Sequence, residues 1–292
     1  MKIIEKNPII MIIIGVIGIS LSSIFVRYSA APSVVTAAFR LLWTVLFLTP
    51  VAVGRREVRK EFLKLPKKTF WLSAVSGIFL AIHFALWFES LKKTSVASST
   101  SIVCTEVVWV AIGYCLFLKG KLNFKAIMAI VISLVGSLII AYSDSQTGAS
   151  VNGAVLALLS AIAVAIYVLL GRVVRNDTST TVYTYIVYVS CSIVLVAMCV
   201  IGKHNLFGYG ISAVIVGPFL ALFSTILGHS IFSWCLKYFS PAFVSASKLC
   251  EPVVAAILAG ILFFEIPTAL QIIGGVLIIG GVLFYSKQEV NQ

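Results

Sequence analysis

Acidic residues are scarce in this chain, with ten Asp and Glu among 292 residues against 22 Lys and Arg. Charged residues make up only 11% of the sequence and hydrophobic ones 60%, whereas ordinary soluble domains carry roughly a quarter charged. That composition excludes a soluble globular domain and points to a polytopic membrane protein. Other signatures are missing too. There is no Walker-type glycine loop, no dinucleotide-binding glycine fingerprint and no His-Glu metal motif, which removes ATP-driven transport within this chain and metalloprotease chemistry, so neither cofactor nor metal is expected. Cys104, Cys115, Cys191, Cys199, Cys235 and Cys250 all fall inside apolar runs, with neither zinc spacing nor a disulfide framework, and read as small hydrophobes. A net charge of +12 would suit nucleic acid, but the basic residues lie between apolar runs instead of among aromatics on one face, so no nucleic-acid partner is expected.

What the chain has is apolar runs of spanning length, at about 9–26, 34–53, 70–91, 96–118, 124–142, 151–171, 181–201, 211–236, 242–264 and 268–286. About twenty residues at a rise of 1.5 Å match a hydrocarbon core of roughly 30 Å, so ten transmembrane helices are expected. The first run imitates a signal peptide, with Lys2 and Lys6 before it, but it is long for that role and ends in Arg27, which favours an uncleaved span. The loops are short, the longest covering 54–69. Basic residues set the orientation. Sixteen of them, from Lys2 through the 55–68 loop to Lys287, share one side, and only Arg27, Lys92, Lys93 and Lys203 take the other. Both termini are therefore expected in the cytoplasm of a multi-pass plasma-membrane protein. Topology alone accounts for the basic 55–68 loop, although phosphorylated lipid headgroups could also bind it.

The two halves repeat. Adding 145 takes Arg27 to Arg172, Lys92 to Lys237, Ser95 to Ser240, Glu106 to Glu251 and Gly136 to Gly281 without a gap. Five spans per half is an odd number, so the copies, 1–143 and 151–287, must run in opposite directions through the bilayer. Inverted repeats are a hallmark of secondary transporters whose site lies at mid-membrane between the halves.

Charges inside spans are the candidates for chemistry, since one at mid-membrane costs about 2.5 to 3.5 kcal/mol on insertion scales. Lys248 and Glu251, at i and i+3 in the ninth run, are expected to pair with each other or to meet substrate. Pro252 has no N–H, so the Lys248 carbonyl loses its helical partner. Glu106 is the repeat partner of Glu251, and two acids around one cavity suit proton coupling or a cationic group, the bland alternative being neutralisation by structural partners. Arg40 in the second span needs an anion or a carboxylate nearby, from structure or from substrate. His83 with Trp87, and His229 with Ser233, share helix faces at i and i+4, as packing residues or as cavity lining. Trp109 continues the Glu106 face, either to stack on substrate or to pack. Glu89 lies near a span end, where snorkelling to water suggests a structural role. Glycines 136, 274, 275, 280 and 281 permit close helix packing, within or between subunits, in a monomer or homodimer.

Glu251-Pro252-Val253, Phe264-Glu265, Gln271, Gly274 and the run Ile278-Ile279-Gly280-Gly281-Val282 resemble the second copy of an EamA domain in the drug/metabolite transporter superfamily. Arg40 and Gly136 carry the resemblance into the first half. Val107 stands where a proline is expected after the acid, and Gly120 where a span-closing acid is expected, so the fourth span should be the straighter and plainer copy. The resemblance implies ten helices, cytoplasmic termini, a central cavity between the halves, and export or exchange of small metabolites such as amino acids. The resulting expectation is an alternating-access carrier, not an enzyme, in which Glu251 and Glu106 handle a cationic group or proton, Lys248 and Arg40 a carboxylate, and Trp109, Trp87 and His83 the substrate body. An intramembrane enzyme using His83 or His229, and a channel or lipid scramblase, are the alternatives. Neither needs the inverted repeat.

Overall fold

Every regular element among the described residues is helical, as a bilayer requires of a chain that must satisfy its own backbone hydrogen bonds. The computed structural model describes residues 8–94, 96–145, 151–263 and 267–290. In chain order the elements are α1 (Pro8–Arg27), α2 (Ser33–Gly54), α3 (Arg56–Lys64), α4 (Lys67–Lys93), α5 (Val96–Val103), α6 (Glu106–Phe117), α7 (Phe124–Ser145), α8 (Val151–Arg175), α9 (Thr180–Ile201) and α10 (Gly210–Phe219). A π-helical stretch (Leu220–Ser230), α11 (Ile231–Cys235), α12 (Pro241–Ser247), a 3-10 turn (Lys248–Cys250), α13 (Glu251–Phe263) and α14 (Ala269–Val290) follow. Among the described residues, eight helical stretches are long and apolar enough to cross a membrane. Large apolar side chains such as Ile13, Leu116, Ile193 and Val276 stand on the outer surface, where lipid is a better solvent for them than water. Ser95, Phe264 and Glu265 lie outside the described residues.

The 54–69 connection, expected as a loop, contains α3. Its Val58 is buried against Val182 and Ile186 of α9, with Phe62, Leu65 and Ala74 packed around them, while Arg56, Arg59, Lys60 and Lys64 face outward. An apolar residue every third or fourth position among basic ones makes a helix that lies at the membrane surface.

Small residues permit a close crossing between α7 and α14. A Cβ on Gly136 would stand 2.5 Å from the Gly274 carbonyl oxygen, and one on Gly281 would stand 2.8 Å from that of Ala129. Adding 145 turns 136 into 281 and 129 into 274, so the two contacts are equivalents. Ser133 Oγ, which donates to Ala129 O at 2.9 Å, also reaches the carbonyl of Ile278, its own 145-offset partner, at 3.4 Å. Gly275 makes only ordinary contact with Val253, and Gly280 faces open space, so these two expected packing glycines carry no close approach.

Three irregularities shape the interior. The ninth predicted span breaks as expected near Pro252, through the turn at Lys248–Cys250. The fourth breaks as well, contrary to the expectation of a straight companion: α5 ends at Val103 and α6 begins at Glu106. No proline is needed there. The Thr105 hydroxyl donates to the Ile102 carbonyl at 2.7 Å, while the amides of Thr105 and Val108 bond three residues back, to Ile102 and Thr105. A threonine competing for backbone acceptors tightens the turn much as a missing N–H would. The third irregularity is the π-helical stretch that follows Pro218, in which the Thr225 and Ser230 hydroxyls donate five residues back, to Leu220 O and Thr225 O. Proline cannot continue the usual i to i−4 bonding, and the wider turn absorbs the mismatch.

Candidate functional site

Both helix breaks fall at the same place in the two halves. Glu106 is the first residue of α6 and Glu251 the first residue of α13, so each carboxylate sits at a helix N-terminus, where the peptide dipoles favour negative charge. The breaks bring the acids to one buried cavity. Its lining includes Ser22 from α1, Arg40 from α2, His83 and Trp87 from α4, Thr100 and Val103 from α5, Glu106, Val164 from α8, His229 from the π-helical stretch, Lys248 and Glu251. Seven of the eight residues singled out in the sequence thus converge from helices far apart in the chain.

The exception is Trp109, which is 37% exposed on the outside of α6. The buried stripe of that helix runs through Glu106, Val107, Val110 and Gly113. At about 100° per residue, Trp109 lies roughly a quarter turn from its centre.

The central interaction differs from the expected one. Lys248 pairs with Glu106 across the two halves, Nζ to Oε1 at 2.8 Å, with both side chains buried. It makes no ion pair with Glu251 among the described residues. Both acids border the same cavity, and the ammonium bonds the one that the other half presents to it. The Lys248 ammonium also lies 5.5 Å from the centre of the Phe232 ring. Its carbonyl, deprived of the residue-252 amide, accepts from the Glu251 N–H and meets the Cys104 thiol at 3.9 Å.

Arg40 is fully buried, yet hydroxyls hold it where a carboxylate was expected. Nε donates to Thr225 Oγ1 at 2.7 Å and Nη1 to Ser22 Oγ at 3.0 Å, and the guanidinium stands 4.2 Å over the Phe84 ring. The π-helical stretch supplies Thr225. His83 is set by Ser160, whose hydroxyl lies 2.8 Å from Nδ1, and its ring stacks on Trp87 at 5.8 Å between centroids. His229 packs edge-on to Phe84, its 145-offset partner, at 5.2 Å and lies 6.1 Å from the Tyr167 ring. Tyr167 OH in turn bonds Ser233 Oγ at 2.9 Å, and Ser233 Oγ donates to the His229 carbonyl at 2.9 Å. Glu89, outside the cavity, pairs with Lys93 at 3.4 Å on the surface, as its place near a span end suggested.

Four buried polar atoms on the lining residues have no hydrogen-bond partner among the described residues: Arg40 Nη2, Trp87 Nε1, Thr100 Oγ1 and Glu251 Oε1. The first two are donors, the carboxylate oxygen is an acceptor and the hydroxyl serves as either. An unsatisfied buried group costs about 1 to 3 kcal/mol, so a cluster of them around one space suits a polar ligand. The free volume is about 30 Å³. A water needs roughly 10 to 15 Å³ on that measure, so the side chains close around room for about two waters.

Ser22, Thr100, Ser160, Tyr167 and Thr225 escaped the sequence reading. Serine, threonine and tyrosine recur throughout the spans and carry no charge to mark them. The cost of burying charge, which exposed the other candidates, gives no signal for a hydroxyl.

Comparison with known proteins identifies the family and the fold. The sequence profile of the EamA-like transporter family matches residues 6–142 and again 151–287. The chain is 27% identical over 263 residues to the uncharacterized transporter YdfC of Bacillus subtilis (strain 168), covering 88% of this chain and 82% of that one. It is 26% identical over 280 residues to the uncharacterized transporter YxxF of the same organism, covering 95% and 87%. A solved structure described only as the crystal structure of a protein superposes with a TM-score of 0.79 over 98% of both chains at 15% identity, which shows a shared fold.

Proposed function

We propose that this chain, which belongs to the EamA-like transporter family, is a secondary carrier working by alternating access. Its cargo on this reading is a small organic metabolite bearing an ammonium group, with or without a carboxylate, such as an amino acid or related amine. The carrier exports or exchanges this cargo across the plasma membrane, by exchange or with protons as the coupled ion. Ten spans, arranged as two inverted five-helix repeats with both termini in the cytoplasm, form the framework. The equivalent contacts at Gly136 and Gly281, and the meeting of Ser133 with Ile278 and of Phe84 with His229, support it. Residues related by a twofold touch one another only near its axis.

The observation that carries the reading is the set of unpartnered donors and acceptors around a cavity at the junction of the halves. Glu251 receives the ammonium group, or a proton in its place. Arg40 Nη2 and Trp87 Nε1 donate to a carboxylate, while His83 and His229 border the body of the substrate. Lys248 and Glu106 neutralise each other in the closed state, and a carboxylated substrate competes for Lys248. A cavity of this size encloses no metabolite, so the helices must part to load it, with movement at the two helix breaks. Such a site, alternately open to each side, is what a carrier needs.

The test is reconstitution in liposomes. A thermal-shift screen of amino acids and amines selects a ligand, and its uptake is measured for wild type and Glu251→Gln. Uptake is expected to fall by at least about tenfold, the effect of losing one charge-assisted hydrogen bond of about 1.5 to 3 kcal/mol. Unchanged affinity and unchanged proton-coupled uptake would overturn the reading.

A further inference from the structure

Away from the central cavity, two depressions adjoin on the outer surface and share Phe62 and Tyr185. One, of about 290 Å³, is bordered by Ala52, Val53, Arg59 and Leu63. The other, of about 490 Å³, is a trough between α4 and α9, walled by Phe70, Trp71, Ile78, Val189 and Ile193. We infer that together they bind an anionic phospholipid, its headgroup phosphate at Arg59 and one acyl chain in the trough.

The trough is apolar by construction. Ser190 Oγ donates to the Ala74 carbonyl at 2.8 Å, and Tyr185 OH bonds Thr49 Oγ1 at 3.1 Å, so both hydroxyls that line it are satisfied within the protein. A polar metabolite would find no partner there. Its floor is close-packed, because Gly77 of α4 lies directly against the Val187 carbonyl of α9. From Phe70 to Ile78 is eight residues, about 12 Å of helix, somewhat less than half of a hydrocarbon core of about 30 Å. The trough thus runs inward from a basic end to roughly the depth of one leaflet.

Charge complementarity chooses the headgroup. Between 54 and 69 stand Arg55, Arg56, Arg59, Lys60, Lys64, Lys67 and Lys68, against Glu57 and Glu61. Glu61 is engaged elsewhere, accepting the Ser179 N–H at 2.7 Å. Arg59 is exposed and makes no ion pair among the described residues. Phe62 and Tyr185, edge to face at 5.9 Å, join the two depressions at the interface, the level at which an aromatic ring is at home. Leu63 and Trp71 project beside them, 86% and 65% exposed. Positive-inside topology accounts for basic residues on this side, but not for an arginine placed at the mouth of an apolar trough one leaflet deep.

The experiment is native mass spectrometry of the full chain purified in detergent and offered phosphatidylglycerol and phosphatidylcholine with identical acyl chains. Both lipids carry the phosphate, but the choline ammonium of phosphatidylcholine offsets its charge, so wild type is expected to retain phosphatidylglycerol in preference, by about fivefold for each basic side chain at the headgroup. Arg59→Ala should bring the two lipids to near parity and Arg59→Lys should keep most of the preference. Ile193→Trp, a change at an exposed position that fills the trough, should lower retention of both. Equal retention of the two lipids by wild type, a preference untouched by Arg59→Ala, or full retention in Ile193→Trp would each overturn the site. So would efficient disulfide cross-linking of two copies through Ile193→Cys without a lipid adduct, which would make the trough a contact between subunits.

Discussion

The fourth and ninth apolar runs are the same device built twice and used differently. Each is helical to the position before a buried break, and each resumes with a glutamate as the first residue of the second segment, Glu106 in one and Glu251 in the other. The fourth achieves the break with a threonine and 3-10 bonding, the ninth with Pro252. The difference lies at the position three residues before the acid, which is Val103 in the first half and Lys248 in the second. One lysine stands among two acids and pairs with only one of them. It bonds Glu106, from the other half, and leaves Glu251 Oε1 without a partner. Repetition therefore supplies the geometry of the cavity, and a single departure from it makes one carboxylate structural and the other available for a ligand.

Breaking the paired acid should have the largest effect on stability. In Glu106→Gln the buried Lys248 ammonium loses its ion-pair partner, a loss of up to about 3 to 5 kcal/mol, visible as a lower thermal midpoint and a poor yield in detergent. Adding Lys248→Met to it removes the orphaned charge and should recover most of that stability without recovering transport. A wild-type midpoint for Glu106→Gln alone would show that the pair does not hold the halves together.

Exchanging the two departures tests the comparison directly. Val103→Lys combined with Lys248→Val moves the lysine to the position three residues before Glu106, so the equivalent cross-half ion pair now engages Glu251. The protein should remain folded and lose uptake of its substrate, because the acid proposed to receive the ammonium group is occupied. Full uptake by the exchanged protein would mean that the two acids are interchangeable.

The smallest effect separates two tryptophans. Trp87→Leu removes a donor from the cavity, worth about 1 kcal/mol, and should raise the half-saturating substrate concentration about fivefold. Trp109→Leu changes only the outer surface and should leave uptake unaltered. Equal effects from the two would place Trp109 nearer the substrate than its exposure allows.

Much of the site was legible because charge in a bilayer is expensive, so Arg40, Glu106, Lys248 and Glu251 stood out from their apolar neighbours before any contact was known. The offset of 145 likewise joined Glu106 to Glu251. What could not be read was which partner each charge would take. An i, i+3 pairing of Lys248 with Glu251 looks along one helix, and spacing along a helix cannot show that the other half brings Glu106 within 2.8 Å of the same ammonium. The Trp109 reading failed for a related reason, since sharing a helix with Glu106 does not place a side chain within the stripe that the neighbouring helices bury. The break in the fourth span was missed because proline is a strong signal and threonine a weak one. Thr105 marks a break only when its hydroxyl turns back to the chain.

The helical class, the family, the two related halves and the residues whose burial had to be justified all follow from the order of amino acids, because hydrophobicity, charge and spacing act locally and cost the same wherever the chain goes. It took the packed helices to show that Lys248 belongs to Glu106, that Arg40 rests on hydroxyls and an aromatic ring, and that Glu251 keeps an unpartnered oxygen. Those outcomes depend on which helices meet and at what turn, and neither is set by the residues of one helix alone.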